Sequence, residues 1–460
     1  MEFAYLGVVF LVCIIWFSVL KRPLYEAMLM AFIALVAMTS IVTGQFSLAL
    51  VWGYIWDAMT TSSLYVMFAF ILSASLLAKT SIINDCIALI LSVFGRFRGG
   101  AGFVAIIGSA YMGSLSGSGP GNVATTGMFT IPAMKKSGFP AHLAANVEAH
   151  ASTMGNMIPP AGMVAIAFDH LAKSQWGESF TMSQFWLVLW GVAIWFILQR
   201  IVTLYIMCRY YKVEPLKKEE LPSFRESVKK GWKSVFLPVI VLLPFFLNNI
   251  FESFLTVQLG AKSTAIANSI LLLIPSIIVV FGILLSDKQT KQRMTPKAIF
   301  SHVEKGMLKV VPTAALVLFA YFVSNVFENL GVEQAIGALI QSLNMPKFAL
   351  VLLIPLLTAI LGMLLPGSTQ VKIFGGVIIG IFASVGVEPM LSAAMLLCIC
   401  GAMHGVTPPY CACVYTAMGI AESELKPTML NCMVWILIHY ALSVLVLLGL
   451  LPVFGLVSVL

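Results

Sequence analysis

Charge is scarce in this chain: charged residues make up 10% of its 460 positions, with 19 acidic side chains against 27 lysines and arginines. Soluble domains carry about a quarter of their residues as charge, so a water-facing globule is excluded. The eight cysteines (13, 86, 208, 398, 400, 411, 413 and 432) lie in or beside apolar segments. That placement argues against a disulfide framework, and it makes Cys-x-Cys at 398/400 and 411/413 small-residue helix packing in preference to a metal site. Neither Gly-x-Ser-x-Gly nor His-Glu-x-x-His occurs, so the familiar hydrolase signatures are missing. No basic residue precedes the first apolar run, residues 4–20, and Lys21-Arg22 and a second run follow it. It reads as a retained helix and not as a cleaved signal.

What the chain has in quantity is apolar length. It is 60% hydrophobic, with a mean hydropathy of +0.98. Runs of roughly 18 residues, enough to cross a bilayer, recur throughout. The pattern predicts spans at 3–20, 24–43 and 60–79, an amphipathic helix at 82–95, and a hairpin with limbs at 100–116 and 122–134. A broken helix (140–157 and 160–172) and spans at 183–210, 234–251 and 264–286 come next. An amphipathic helix at 296–310, a span at 311–329 and a short helix near 333–343 follow. A second hairpin (346–365 and 370–385), a second broken helix (389–405 and 409–421) and a span from 428 complete the chain. The fold class is an all-α polytopic membrane protein.

If each hairpin enters and leaves on one side, 22 of the 27 basic residues fall on a single side of the membrane. The loop 209–233 alone holds eight of them (Arg209, Lys212, Lys217, Lys218, Arg225, Lys229, Lys230 and Lys233). The opposite side has only Lys173, Lys262 and Lys347. Arg200 lies at the inner end of a span and Lys372 lies within the membrane. The rich side is therefore cytoplasmic and both termini lie outside. The net charge of +8 belongs to orientation and not to nucleic acid.

Gly113-Ser-Leu-Ser-Gly-Ser-Gly-Pro-Gly-Asn-Val-Ala-Thr-Thr-Gly127 interrupts the apolar pattern with glycine, proline and hydroxyls. Hydrocarbon offers no water to bare backbone, so such a stretch must be buried in protein or line a cavity. Two short apolar helices around a polar, glycine-rich break mark a transporter binding site. The second half echoes the first. Ser109-Ala-Tyr-Met-Gly113 matches Thr358-Ala-Ile-Leu-Gly362, Pro140 matches Pro389, and Pro159-Pro160 matches Pro408-Pro409, all at one offset (408 − 159 = 249). Five crossings separate the two starts. The expected architecture is thus an inverted repeat with two re-entrant hairpins and two broken helices. Its parts are scaffold helices at 1–59, a first repeat at 60–208, a basic linker at 209–233, scaffold at 234–310 and a second repeat at 311–460. The hairpin tips are expected at 116–122 and 365–370.

Half-helix N-termini turn amide N–H groups toward a carboxylate, and unwound carbonyls suit a small hard cation. Pro159-Pro160 and Pro408-Pro409 enforce the breaks, because proline has no N–H and clashes with the preceding turn. The candidates to contact an anionic substrate are Asn122, Thr125, Thr126, Thr369, Gln370, Lys372 and His404. Asn122 also fits as the N-cap of the return limb. Lys372 is an expensive intramembrane charge, roughly 2.5–3.5 kcal/mol on insertion scales, and needs a cavity or a partner. It could attract an anion, stand in for a coupling cation, or form a structural ion pair. His404 could carry a proton or be satisfied structure. Glu148 and His150, two apart, cannot share a helical face and make a poor metal pair; Glu148 suits packing or a proton relay.

At Gly95-Arg-Phe-Arg-Gly-Gly100, Ser116-Gly-Ser118, Asn122-Val-Ala-Thr-Thr-Gly127, Thr130-Ile-Pro-Ala-Met-Lys135, Ala151-Ser-Thr153, Ile158-Pro-Pro160 and Thr407-Pro-Pro409, the sequence resembles a known family. That family is the large membrane subunit of tripartite ATP-independent periplasmic (TRAP) transporters, and the likeness is greatest to the type used with TAXI binding proteins. The resemblance implies an elevator in the bacterial cytoplasmic membrane. It would import an organic anion of the glutamate or dicarboxylate class, delivered by an extracytoplasmic TAXI-like protein and driven by sodium or protons. No cofactor beyond the coupling ion is implied. One cation site would use Ser116, Ser118, Asn122, Gly155 and Ile158. The other would use Gly367, Ser368, Thr369, Met403 and Val406. The four-helix small subunit, often fused in this type, would be a separate chain, because only two spans precede the first repeat. Pro120, Gly121, Lys372 and His404 depart from the family's usual residues. Competing readings are a stand-alone anion symporter, a passive channel, and an intramembrane hydrolase using Ser116 or Ser118 with His439.

Overall fold

The computed structural model describes the chain apart from residues 1, 117–118, 160, 178–179, 252–253, 255–256, 259–261, 333–334, 336–337, 340–341, 364, 409–410 and 457–460. Among the described residues there is helix and no strand. The first half runs α1 (Glu2–Ile14), α2 (Leu24–Thr43), α3 (Leu48–Thr60), α4 (Ser62–Leu77), α5 (Ile82–Phe94), α6 (Gly100–Ser116), α7 (Gly119–Lys136), α8 (Ala141–Ser152), α9 (Gly162–Lys173) and α10 (Met182–Tyr210). After it come α11 (Phe224–Gly231), α12 (Leu237–Ile250), α13 (Lys262–Leu285), α14 (Lys288–Arg293) and α15 (Pro296–Asn329). The last five are α16 (Lys347–Leu361), α17 (Gly367–Ser384), α18 (Pro389–Leu396), α19 (Ala412–Ala421) and α20 (Leu425–Leu447).

Local chemistry sets many of these ends. Thr181 and Gln184 close a capping box at α10, and Thr295 caps α15 with Pro296 at its first position; both satisfy amides that no helical carbonyl can reach. Three elements differ from the sequence expectation. Helix α3 is unforeseen: Ser47 accepts from the Leu50 N–H, and Trp52 and Trp56, one turn apart, stay exposed. That pattern suits a helix lying at a membrane surface. Helix α11 lies inside the segment expected to be linker and packs on α5. Residues 296–310 and 311–329 form one 34-residue helix, with Pro312 inside it.

Helix α2 packs on α1 and α15, and α4 packs on α9, α13 and α15. Helices α7, α8 and α19 pack on one another, α6 packs on α7 and α8, and α17 packs on α9, α15 and α18. The half-helix after each break therefore lies against the other half's hairpin: α9 on α17, and α19 on α7. Four helices among the described residues are long and apolar enough to cross a membrane: α2, α10, α17 and α20. Large apolar side chains such as Ile41, Val202, Ile206, Leu430 and Leu437 point outward from them, as lipid contact requires.

Candidate functional site

Each half of the chain has two interruptions between helices. The first break is tighter and longer than its proline pair: α8 ends at Ser152, a 3₁₀ turn covers Thr153–Asn156, and α9 resumes at Gly162. The second runs from α18 through a π turn (Leu397–Ala402) and a 3₁₀ turn (Met403–Gly405), and α19 starts at Ala412. Pro159 and Pro408 lie in these gaps, while Pro160 and Pro409 fall outside the described residues. The hairpin tips are shorter than expected. Helix α6 reaches Ser116 and α7 begins at Gly119, so Gly117 and Ser118 alone separate them, outside the described residues. In the second hairpin the gap is 362–366, and Gly367, Ser368, Thr369 and Gln370 form the first turn of α17. Pro366 at its N-cap cannot continue a helix backward, which fixes that start.

Glycines let hairpins and breaks touch backbone to backbone. A Cβ on Gly113 would fall 2.7 Å from the Gly155 nitrogen. One on Gly362 would fall 3.1 Å from the His404 Cα. The two contacts share the sequence offset (362 − 113 = 249 and 404 − 155 = 249). The halves also meet. Asn156 Nδ2 donates to the Gly401 carbonyl at 2.7 Å, and Gly119 packs against Cys413, which in turn packs against Gly405.

Asn122 is wholly buried inside α7 and not at its cap. Its Nδ2 donates to Ser109 O at 2.8 Å and to Ser152 O at 3.4 Å, tying both hairpin limbs to α8. Thr125 is half-buried and its hydroxyl bonds only within its own helix, to Gly121 O and Asn122 O. Thr126 turns instead toward Glu148. Asn122→Ala should therefore lower stability in detergent by about 1–3 kcal/mol, the cost of unmaking buried bonds. Thr125→Ala should change the thermal midpoint little. Ile158 and Gly155 are buried in the same region; the Ser116 side chain and Ser118 lie outside the description.

At the second tip, Thr369 Oγ1 and Gln370 Oε1 are buried without a hydrogen-bond partner among the described residues, while Gln370 Nε2 donates to Leu365 O. Buried oxygens of this kind are rare and ask for a ligand, an ion or a water. Ser368 is half-buried beside them. His404 Nδ1 lies 2.7 Å from the Gly401 carbonyl. A carbonyl only accepts, so Nδ1 carries the hydrogen. The Met403 carbonyl already takes the Thr407 hydroxyl and the Val406 and Thr407 amides. The Val406 carbonyl accepts from Cys432 Sγ.

Lys372 sits on α17 with Nζ 4.0 Å from Asp169 Oδ2 and 4.0 Å from the centroid of the Tyr321 ring. Asp169, on α9, also faces Lys173 at 3.3 Å. Asp169 thus offers Lys372 a carboxylate partner. A polar cavity of about 430 Å³, lined by Asp57, Lys173, Asn325 and Glu328 among others, lies at the Lys173 end. Sequence reasoning passed over Asp169, although it is a lone acid in an apolar run. It also left Arg200 as a charge at the inner end of a span, without a partner. Arg200 is 1% exposed and holds the first break: Nε donates to His150 O at 2.7 Å and Nη2 to Thr153 Oγ1 at 3.1 Å. His150 stacks on Trp435, whereas Glu148 points to α6 and α7, so the two indeed serve different faces. His439 lies beside Arg200 and Cys398 O.

The chain is similar to proteins of known kind. The C4-dicarboxylate TRAP transporter large permease protein DctM of Pseudomonas aeruginosa is 22% identical over 381 residues, 82% of this chain and 83% of that one. The isethionate TRAP transporter permease protein DctMQ of Oleidesulfovibrio alaskensis is 24% identical over 73% of this chain and 48% of its own length. In fold the chain resembles the YdaH transporter of Alcanivorax borkumensis (TM-score 0.56, 15% identity, 87% of each chain). It also resembles MtrF of Neisseria gonorrhoeae (TM-score 0.60, 12% identity, 89% of this chain and 84% of that one). The family described as the tripartite ATP-independent periplasmic transporter, DctM component, matches residues 10–454. A match over that length, on an all-helical, membrane-embedded chain, means that this protein belongs to the DctM family, the large permease subunits of TRAP transporters, and is not an enzyme.

Proposed function

We propose that the chain imports a small organic anion, handed over by an extracytoplasmic binding protein of the TAXI-like kind, through an ion-driven elevator movement in the bacterial inner membrane. The reading includes a separate small membrane subunit and both termini outside. It rests above all on the buried oxygens of Thr369 and Gln370, which have no hydrogen-bond partner among the described residues and lie in the first turn of α17. An inverted repeat accounts for the glycine contacts at a common offset and for the exchange of α9 and α19 between hairpins. Relatives named for C4-dicarboxylates, isethionate and 2,3-diketo-L-gulonate support an anionic cargo. First-turn amides of α17 would meet its negative group, and the Thr369 and Gln370 oxygens would face a cation.

The test is uptake of labelled succinate, glutamate and isethionate into proteoliposomes holding this chain with its small subunit. Binding protein is added outside, under an imposed sodium or proton gradient. Accumulation should need both the binding protein and one gradient. Full-rate uptake without any binding protein would instead mark a stand-alone symporter.

A further inference from the structure

Glu148 is a buried acid without a cation. Its exposure is 0%, and among the described residues no lysine, arginine or histidine forms an ion pair with it. Four hydroxyls surround it instead. Ser109 lies 3.1 Å and Ser152 3.0 Å from Oε1, Thr126 also meets Oε1, and Thr130 meets Oε2. Three elements contribute: α6, α7 and α8 itself.

The fold does not need this acid. At the sequence offset of 249, Glu148 corresponds to Leu397 (397 − 148), Thr126 to Gly375, Thr130 to Ile379 and Ser152 to Gly401, and Ser109 corresponds to Thr358, whose hydroxyl bonds Pro355 O in its own helix. Thr358 apart, the second half has apolar or small residues where the first has a carboxylate and hydroxyls. A buried, unpaired charge is expensive and apolar packing would be cheaper, so stability alone does not explain it.

The cage accepts the group in either protonation state. A hydroxyl carries one hydrogen and can accept as well. With the carboxylate ionised, all four hydroxyls can donate to it. With Oε2 protonated, its O–H donates to Thr130 Oγ1, and Thr130 turns its hydrogen to Thr126 O, 3.0 Å away. With Oε1 protonated, Thr126 likewise turns to Asn122 O at 2.8 Å. No heavy atom has to move. Ser109 and Ser152, which touch the carboxylate, also supply the carbonyls that hold Asn122, so the proton's presence is felt at the hairpin tip.

We infer that Glu148 is the binding site of a transported proton, taken up on one side of the membrane and released on the other as the first hairpin and its broken helix move together. The inference rests on the transport reading above and names its coupling ion. Few titratable groups face the cage from the packed elements. Cys413 on α19 packs against Gly119, and Cys432 on α20 faces His150 on the far side of α8. Tyr111 of α6 reaches away to Ser234 O. Lys135 of α7 binds Ala421 O, and Arg200 of α10 binds His150 O.

Two measurements on the reconstituted membrane complex test this. In infrared spectra taken across a pH series, wild type should show a protonated-carboxyl band that titrates, and Glu148→Gln should lack it. With binding protein and succinate as probe, Glu148→Gln should lose accumulation driven by a proton gradient yet keep succinate–succinate exchange. Unchanged accumulation in Glu148→Gln, or identical spectra, would overturn the inference. If wild type moves no succinate under any gradient, the transport reading has failed for that cargo, while the infrared titration still decides for Glu148. Should Glu148→Gln fail to fold, wild type and Glu148→Asp carry the infrared test; a shared, unshifted band or none at all overturns it.

Discussion

Asp169→Ala should destabilise the protein by about 3 kcal/mol, while Lys372→Met should cost less than about 1 kcal/mol. The asymmetry follows from exposure. The Lys372 side chain is 4% exposed, and substitution removes the carboxylate that faces its ammonium. Breaking a buried pair by deleting one partner strands the other charge, typically at 3–5 kcal/mol; the 4.0 Å separation and the Tyr321 ring beneath Nζ put this case at the low end. Deleting Lys372 strands nothing comparable. Asp169 remains 19% exposed and keeps Lys173 at 3.3 Å. Asp169→Asn combined with Lys372→Met should recover most of the loss, because both charges leave together. Lys173→Met, a surface pair, should shift stability by under about 1 kcal/mol. Thermal unfolding in detergent reads all of these. Equal losses for Asp169→Ala and Lys372→Met would show that the pair does not carry Lys372.

Gly113→Val should abolish transport and cut the yield of folded protein, and Gly113→Ala should cost about 1–3 kcal/mol as an overpacked contact. Its Cβ would meet the Gly155 backbone, not the end of a flexible side chain, so nothing nearby can rotate aside. Relief would require hairpin and broken helix to separate, which would also pull Asn122 from Ser152 O. Gly380→Ala is the control, since a Cβ there meets nothing within 4 Å. Size-exclusion profiles and thermal midpoints separate the two. Wild-type behaviour in Gly113→Val would mean that hairpin and break do not pack as described.

The spans were legible because hydrocarbon imposes a long, one-dimensional signal on a sequence. The hairpins and breaks showed through glycine and proline, whose backbone effects are local. Harder to read were the helices that do not cross. Helix α3 needed the pairing of Ser47 with Trp52 and Trp56, which looks like a loop when only apolar length is scored. The second hairpin's tip begins three residues before its expected start at 365, because Pro366 both ends one conformation and caps the next helix. In the sequence Arg200 looks like a boundary charge, since a single arginine near a span's end usually snorkels to the interface. Here it turns inward to the carbonyl of His150.

By itself the sequence determined the class, the number of interruptions and their echo at a constant offset, all consequences of backbone chemistry and solvent that need no partner. Only the tertiary structure decided who faces whom. Asp169 reaches Lys372 across more than 200 positions, and Glu148 gathers hydroxyls from two other helices. Such pairings depend on helix rotation and depth, and side-chain identity along one strand of text carries neither.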